Sequence, residues 1–310
     1  MRLISFRQLK YYFISALLMI TSNVAGAITI TDSFGEQHFS KPPERVVVLD
    51  WDLLEQLLTL NITPVGATEL SSYQQWVVEP PIPAIVEDVG TRAEPNLEKI
   101  AALHPDVIIA SRSQEDLLPL LKTIAPVVYL PNFGVQDNAG NVAIDHFRTL
   151  AQLFDRNELA DAFLDNMFQQ FAKLRATIEN QFPLPPAVAA IRFSSLNTVF
   201  LYTENSTLNY VLEQLALKPA ISIPARPWGI EQQRINSLQF IDNGYVLYIK
   251  PFANENELAD SILWQSMPFV KQGHVNSVRP VWNYGGVYSL QLMAEALTES
   301  LLQVTKHDHH

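Results

Sequence analysis

From position 44 the chain alternates unbroken apolar runs with helical stripes. ERVVVLD (44–50) is rich in β-branched residues, the pattern of a parallel strand buried on both faces, and DLLEQLLTL (52–60) follows with its leucines at helical spacing. The pair then repeats. Pro64 to Ala67 opens a short strand, and Pro95 with Asn96 signals a helix start. Leu97, Ile100, Ala101 and His104 share one face of that helix, Pro105 ends it, and Val107 to Ala110 enters a sheet. Leu117 to Ile124 predicts the next helix and Val127 to Leu130 the next strand. Such alternation predicts a doubly wound α/β lobe over residues 28–150.

Strand signals stop between 143 and 181. Leu159, Phe163, Met167, Phe171, Leu174 and Ile178 recur every three or four residues, an apolar stripe on one long helix from near Asn157 to Glu179, and FPLPP (182–186) ends it. AVAAIRF (187–193), VFLYT (199–203) and YVLYIK (245–250) then read as strands. Helices are predicted at Leu208 to Leu217, near Leu263, and from about Ser289 to Val304. The fold class is α/β: two mixed lobes of doubly wound type, 28–150 and 185–310, joined by one long interdomain helix within 151–184, with a ligand cleft between them. A single crossing helix acts as a stiff strut and permits only small changes in the angle between the lobes.

The first 27 residues stand apart. MRLISFRQLK is basic, YYFISALLMI is apolar, and Ala25-Gly26-Ala27 closes on small residues, the three parts of a secretory signal cleaved before Ile28. The apolar run falls short of the ~20 residues a membrane span needs, so no direct membrane insertion is expected. Loss of Arg2, Arg7 and Lys10 leaves a chain more acidic than the −11 of the full sequence. That charge excludes a nucleic-acid partner, because phosphate binding needs the opposite sign. Cysteine is absent, which removes disulfides, thiol chemistry, Cys-based metal sites and a lipidated cysteine after the signal. A soluble, monomeric periplasmic protein is predicted.

Catalytic signatures are missing: there is no GxSxG elbow, no GxGxxG and no GxxxxGK[ST], and only 11 glycines are present. The chain is read as a binding protein, not an enzyme. Of seven histidines, His307, His309 and His310 crowd the tail, while His38, His104, His146 and His274 are scattered without ligand spacing, so no metal site is assigned. The stretch VWNYGG (281–286) poses a sharper question. Trp282 and Tyr284, two apart, fall on the same side if the segment is a strand, and that side is either core or the face of a ligand site.

The segments RVVVLDWDLLEQLLTLNITPVGAT (45–68), DVGTRAEPNLEKIAALHPDVIIA (88–110) and LWQSMPFVKQGHVNSV (263–278) resemble the periplasmic binding proteins that deliver metal chelates to ABC importers. More narrowly, QWVVEPPIP (75–83), VGTRAEPN (89–96) and PVWNYGG (280–286) resemble ferric hydroxamate siderophore-binding proteins of the FhuD type. The resemblance spans essentially the whole mature chain. It implies two α/β lobes bridged by a long helix, a ferric siderophore as ligand, and an inner-membrane ABC permease as partner. Iron arrives already held by six chelator oxygens, so no cofactor is implied and no protein atom need ligate the metal. A binding protein for haem or a corrinoid on the same fold is the alternative.

The resemblance also implies the site. Arg92, before the helix that starts at Pro95 and Asn96, matches the arginine that donates to hydroxamate oxygens, for which its planar fork is suited; otherwise it is a solvated side chain or a partner of Glu94. Trp76 matches a first-lobe aromatic, and Trp228, Trp282 and Tyr284 match the facing wall. Trp76 and Trp228 are placed in loops. Trp51 lines the cleft mouth or packs, and Trp264 packs. Where the family has a tyrosine after the strand ending at Ala110, this chain has Gln114, and Ile221 replaces an expected tryptophan; the loss points to a more polar ligand, such as a carboxylate-bearing hydroxamate. Glu115 or Asp116 on the first lobe and Glu231 on the second are the implied permease-docking acids, unless they are ordinary surface charge.

Overall fold

A computed structural model describes residues 27–307; the predicted leader, except its last residue Ala27, and the tail residues His309 and His310 lie outside them. The chain opens with a hairpin, β1 (Ile28–Asp32) and β2 (Gly35–Phe39), that sequence periodicity did not reveal. Gly35, at φ 102°, closes its turn in a conformation that other residues rarely adopt. One carboxylate oxygen of Asp32 accepts the Phe34 amide at 2.8 Å and the other accepts the Tyr129 amide at 2.8 Å, which pins the hairpin to the first sheet.

That sheet contains β3 (Val46–Val48), β4 (Gly66–Ala67), β5 (Glu87–Asp88), β6 (Val107–Ala110) and β7 (Val127–Tyr129). All pairings are parallel, in the order β5-β4-β3-β6-β7. Every residue of β3, β6 and β7 is buried, which is why these strands read as continuous apolar runs. The chain builds outward from β3 to β5, then returns to the other side of β3 with β6. The switch point between β3 and β6 therefore opens a crevice at their carboxyl ends, the position where open α/β sheets bind ligands. Helices α1 (Trp51–Thr59), α2 (Leu70–Trp76), α3 (Leu97–Ala102) and α4 (Leu118–Leu121) make the connections. Asn96 caps α3 by accepting the Lys99 amide at 2.9 Å, as its place in the sequence predicts.

Two helices follow, α5 (Ala139–Leu153) and α6 (Asn157–Gln181). The long helix begins at Asn157, as its stripe predicts, whereas α5 before it is not identified from the sequence pattern. At 25 residues, α6 is roughly 37 Å long. Its buried stripe is Ala160, Leu164, Met167, Phe171 and Ile178, with Phe163 and Leu174 at its edge, a small rotation from the predicted face. The second sheet is mixed, in the order β11-β9-β8-β12-β13 from β8 (Ala187–Ser195), β9 (Thr198–Tyr202), β11 (Ile230–Arg234), β12 (Tyr245–Ile249) and β13 (Val275–Val278), with β10 (Lys218–Pro219) beside the start of β8. Helix α7 (Thr207–Gln214) and the short helices α8 (Glu255–Ala259), α9 (Ile262–Ser266) and α10 (Pro268–Lys271) complete the lobe, and α11 (Val287–His307) ends it. Trp264 packs in this lobe's own core against Phe193 and Phe269, as predicted.

The two α/β lobes are joined by more than the strut. One apolar core runs from Val48 and Leu54 of the first lobe, through Phe147 of α5 and Phe171 of α6, to Leu247 and Leu290 of the second. A buried phenylalanine such as Phe171 contributes about 1.5–3 kcal/mol to such a core. Shared burial of this kind resists large hinge motion, because opening the lobes would expose apolar surface.

Candidate ligand-binding site

The crevice at the carboxyl ends of the first sheet faces the second lobe across a cavity of about 430 Å³. The loops after successive strands supply its first wall: Asp50 and Trp51 after β3, Glu69 after β4, Arg92 after β5, Ser113 after β6 and Phe133 after β7. Trp228, Ile230, Trp282 and Tyr284 form the facing wall.

Arg92 is held from several sides. Its Nε donates to Glu69 Oε2 at 2.9 Å while its backbone N–H donates to Glu69 Oε1 at 3.1 Å, so one carboxylate fixes both ends of the residue. Asp50 Oδ1 lies 3.7 Å from Nη1, and the guanidinium carbon stands 3.8 Å from the Trp51 ring centroid. Glu94, the pairing candidate read from the sequence, is not its partner. The side chain keeps 32% of its surface exposed, and among the described residues its terminal nitrogens donate no hydrogen bond. The edge formed by the two terminal nitrogens thus remains to meet an acceptor in the cavity. Burial raises the Asp50 pKa above the ordinary carboxylate range, and the Arg92 charge opposes that shift.

Aromatic rings make most of the remaining surface. Trp51 is the first residue of α1, following its N-cap Asp50, is almost fully buried, and meets Trp282 edge-on with centroids 5.3 Å apart. Trp282 and Tyr284 are 5.5 Å apart, and Phe133 stacks on Trp228 at 5.9 Å and meets Tyr284 edge-on at 5.7 Å. The sequence reading missed Phe133, although it links the lobes further: its carbonyl accepts the Trp228 amide at 3.1 Å. Glu69, Phe133 and Trp228 all have left-handed backbone, with φ of 52°, 62° and 63°. For side-chain-bearing residues that conformation costs of order 1–3 kcal/mol each, and such strain concentrates at ligand sites.

Several sequence assignments are relocated. The VWNYGG segment is a loop between β13 and α11, not a strand, yet it still brings Trp282 and Tyr284 to one cavity. Trp76 ends helix α2, and Trp228 sits in a short 3-10 turn, so neither lies in an extended loop. Trp76 does not line the first cavity; it faces an adjoining one that shares Trp282. Gln114 is fully buried and lines neither this cavity nor the adjoining one. Its amide donates to the carbonyls of Leu49 at 3.0 Å and Arg92 at 2.7 Å, and its oxygen accepts the Ser111 N–H at 2.9 Å, so it supports the arginine loop from beneath. The glycine pair leaves room for α1: a Cβ on Gly285 would meet the carboxylate of Glu55, and one on Gly286 the side chain of Gln56. Glu115 and Asp116 are exposed, whereas Glu231 is tied to Arg226 at 2.9 Å and to Gln233 at 2.8 Å. Among the described residues, no group of three or more His, Asp or Glu side chains is placed to hold a metal ion.

The profile of the periplasmic binding protein family matches residues 46–281, most of the chain, including the first wall of the cavity and Trp228 and Ile230 of the facing wall. The chain belongs to the periplasmic binding protein family. This periplasmic binding protein is 59% identical to the siderophore-binding protein FhuD of Vibrio cholerae, whose crystal structure holds Fe3+-Desferal; the match covers 84% of this chain and 98% of that one, with a TM-score of 0.82. It is 27% identical over 266 residues to the iron(3+)-hydroxamate-binding protein FhuD of Escherichia coli strain K12, covering 84% of this chain and 87% of the relative. The Fe(3+) dicitrate-binding periplasmic protein FecB of the same strain is also 27% identical, over 281 residues, with 87% of each covered. These likenesses place it in the FhuD-type branch, among substrate-binding proteins rather than enzymes.

Proposed function

We propose that this periplasmic binding protein captures a preformed ferric hydroxamate siderophore between its lobes and presents it to an inner-membrane ABC permease for iron uptake. The observation that carries the reading is the pairing of one oriented guanidinium, Arg92, with a cavity otherwise walled by Trp51, Phe133, Trp228, Trp282 and Tyr284. A ferric trihydroxamate has an apolar, roughly globular exterior and a cluster of oxygens that share delocalised negative charge. Aromatic walls fit the first, and a charge-assisted pair of N–H donors fits the second. Glu69 and Asp50 keep the donor edge aimed before the ligand arrives, so little ordering cost falls on binding.

The complex is neutral at the metal, so two carboxylates beside Arg92 do not repel it. They would repel the propionates of haem, which weighs against that alternative, and a corrinoid has no hydroxamate oxygens for the arginine to meet. Titration of the exported protein with ferric desferrioxamine, haemin and cobalamin, followed by tryptophan fluorescence, tests the reading. Saturable quenching by the ferric hydroxamate at far lower concentration than by the other two is the expected result. Equal or tighter binding of haemin or cobalamin would overturn it.

A further inference from the structure

A second cavity of about 270 Å³ adjoins the first, and Trp282 lines both. Its wall carries three cations, Arg192 on β8, Lys250 after β12 and Arg279 after β13, against one carboxylate, Glu79. In a chain whose net charge is −11, a cationic wall runs against the composition. Two of the cations are answered: Lys250 by Glu255 at 3.0 Å, and Arg279 by Glu295 and Glu299, each at 3.7 Å. Glu79 is engaged by the Tyr288 hydroxyl at 3.2 Å.

Arg192 is different. Among the described residues its side chain makes no ion pair and no hydrogen bond, although the residue is half-buried. Its guanidinium carbon stands 5.2 Å from the centroid of the Trp76 ring, a contact from the opposite lobe that holds it in the cavity. Its charge also reaches the first cavity. Burial raises the pKa of the Tyr284 hydroxyl, and Arg192 acts in the opposite sense. A partly desolvated cation without a counter-charge is costly unless a bound anion completes it.

We propose that the second cavity is a subsite for a carboxylate carried on the siderophore, with Arg192 as its receptor and the connecting chain passing along Trp282. The subsite rests on the reading of the first cavity as the ferric hydroxamate site, because the shared Trp282 wall makes the two adjacent. It selects among ferric hydroxamates by the charge of their periphery: an anionic tail is favoured, a cationic one is not.

Three forms of ferric desferrioxamine with the same iron-binding core test this: the parent with its free terminal amine, an N-acetylated form and an N-succinylated form. Each is titrated against the wild-type protein, Arg192→Gln and Arg192→Lys. The wild type is expected to bind the succinylated form about tenfold more tightly than the acetylated one, the scale of a hydrogen bond to a charged group, and the amine form most weakly. In Arg192→Gln the three affinities should converge while that for the acetylated form stays unchanged, which also shows that the variant is folded; Arg192→Lys should recover part of the preference. Equal affinities in the wild type, or a preference that survives in Arg192→Gln, would overturn the subsite and leave the first cavity's reading intact. Failure of all three forms to bind the wild type would overturn the reading of the first cavity and the subsite with it.

Discussion

Glu55, on the first helix of one lobe, accepts hydrogen bonds from both the backbone N–H and the hydroxyl of Ser289, at the start of the last helix of the other lobe. The residues are 234 apart in sequence. The carboxylate occupies the N-terminus of α11, where unpaired amides and the helix dipole favour an acceptor. Full burial works against ionisation, and it raises the Glu55 pKa to about 7 despite the opposing bonds from Ser289 and the amides of Gly286 and Tyr288. A directional tie thus reinforces the apolar core at the point where the lobes meet.

That tie gives stability a pH signature. Folded Glu55 keeps its proton to about pH 7, whereas the unfolded carboxyl releases it near 4.5. The folded state binds more protons between those values, so this contribution falls as pH rises through the window, by about 3 kcal/mol in all. His146 acts oppositely. Burial lowers its pKa from 6.5 to about 4, so the unfolded state binds more protons and stability rises with pH from 4 to 6.5. Urea unfolding at several pH values should show the advantage of wild type over Glu55→Gln shrinking from pH 4.5 to 7, and that over His146→Gln growing from pH 4 to 6.5. Parallel profiles for wild type and Glu55→Gln would mean that the Glu55 carboxyl titrates alike in both states.

The glycine pair before α11 should tolerate no side chain. On Gly286, a Cβ would collide with Gln56 Cγ, lie 2.8 Å from its Cδ, and approach the Asp52 carbonyl oxygen to 3.1 Å. Because Trp51 to Leu57 of α1 are all buried, Asp52, Glu55 and Gln56 among them, neither helix has space to retreat. Gly286→Ala should cost about 1–3 kcal/mol, the usual range for overpacking, and Gly285→Ala should also displace Glu55 from Ser289. Denaturant midpoints unchanged in both variants would show that the two helices are loosely apposed.

Periodicity made the architecture legible because each buried element carries its own period: β6 and β7 are apolar throughout, and α6 carries a stripe along its length. The hairpin of β1 and β2 was not legible because its strands are short and largely half-exposed, ITITD against GEQHF: Ile30 alone is buried, with Ile28 and Phe39 packed at the edge of the core, and the Asp32 bonds that pin it to the first sheet have no sequence signal. In the site, Arg92, Trp228, Trp282 and Tyr284 stood out through resemblance and residue type. Glu69 and Asp50 did not, because a carboxylate 23 residues from its arginine partner has no local spacing rule; the pairing exists only once β4 and β5 lie side by side. Gln114 illustrates the converse. Its sequence position suggested a polar wall residue, but its amide finds three backbone groups beneath the surface and is consumed there.

Permease docking should depend on the exposed acids of the first lobe more than on Glu231. Glu115 and Asp116 are open to solvent, while Glu231 is already shared between Arg226 and Gln233. Charge reversal at Asp116 or Glu115 is therefore expected to reduce siderophore-dependent iron uptake by cells while leaving the Kd for the ferric siderophore unchanged, and Glu231→Lys to change uptake less. Normal uptake in the Glu115→Lys, Asp116→Lys double variant would place the contact elsewhere.

Affinity and stability should separate at Arg92 and Gln114. Arg92 presents its free N–H edge to the cavity from a partly exposed position, so Arg92→Gln removes the charged donor with little disturbance of the core. A loss of about 1.5–3 kcal/mol in binding ferric desferrioxamine is expected, roughly tenfold to a hundredfold in Kd, with a small change in Tm. Gln114 lines neither cavity, but Gln114→Leu would strand the carbonyl of Arg92 and the N–H of Ser111, and leave the Leu49 carbonyl with the Thr68 hydroxyl as its side-chain donor. Each buried group left unsatisfied costs about 1–3 kcal/mol, so this variant should lose Tm first and affinity only through the loosened Arg92 loop. Trp282→Ala, which removes wall from both cavities, should weaken binding by about 2 kcal/mol and reduce the tryptophan quenching caused by the ferric ligand. Wild-type affinity in Arg92→Gln, with Trp282→Ala lowering only Tm, would show that these side chains serve packing and that the ligand is held elsewhere.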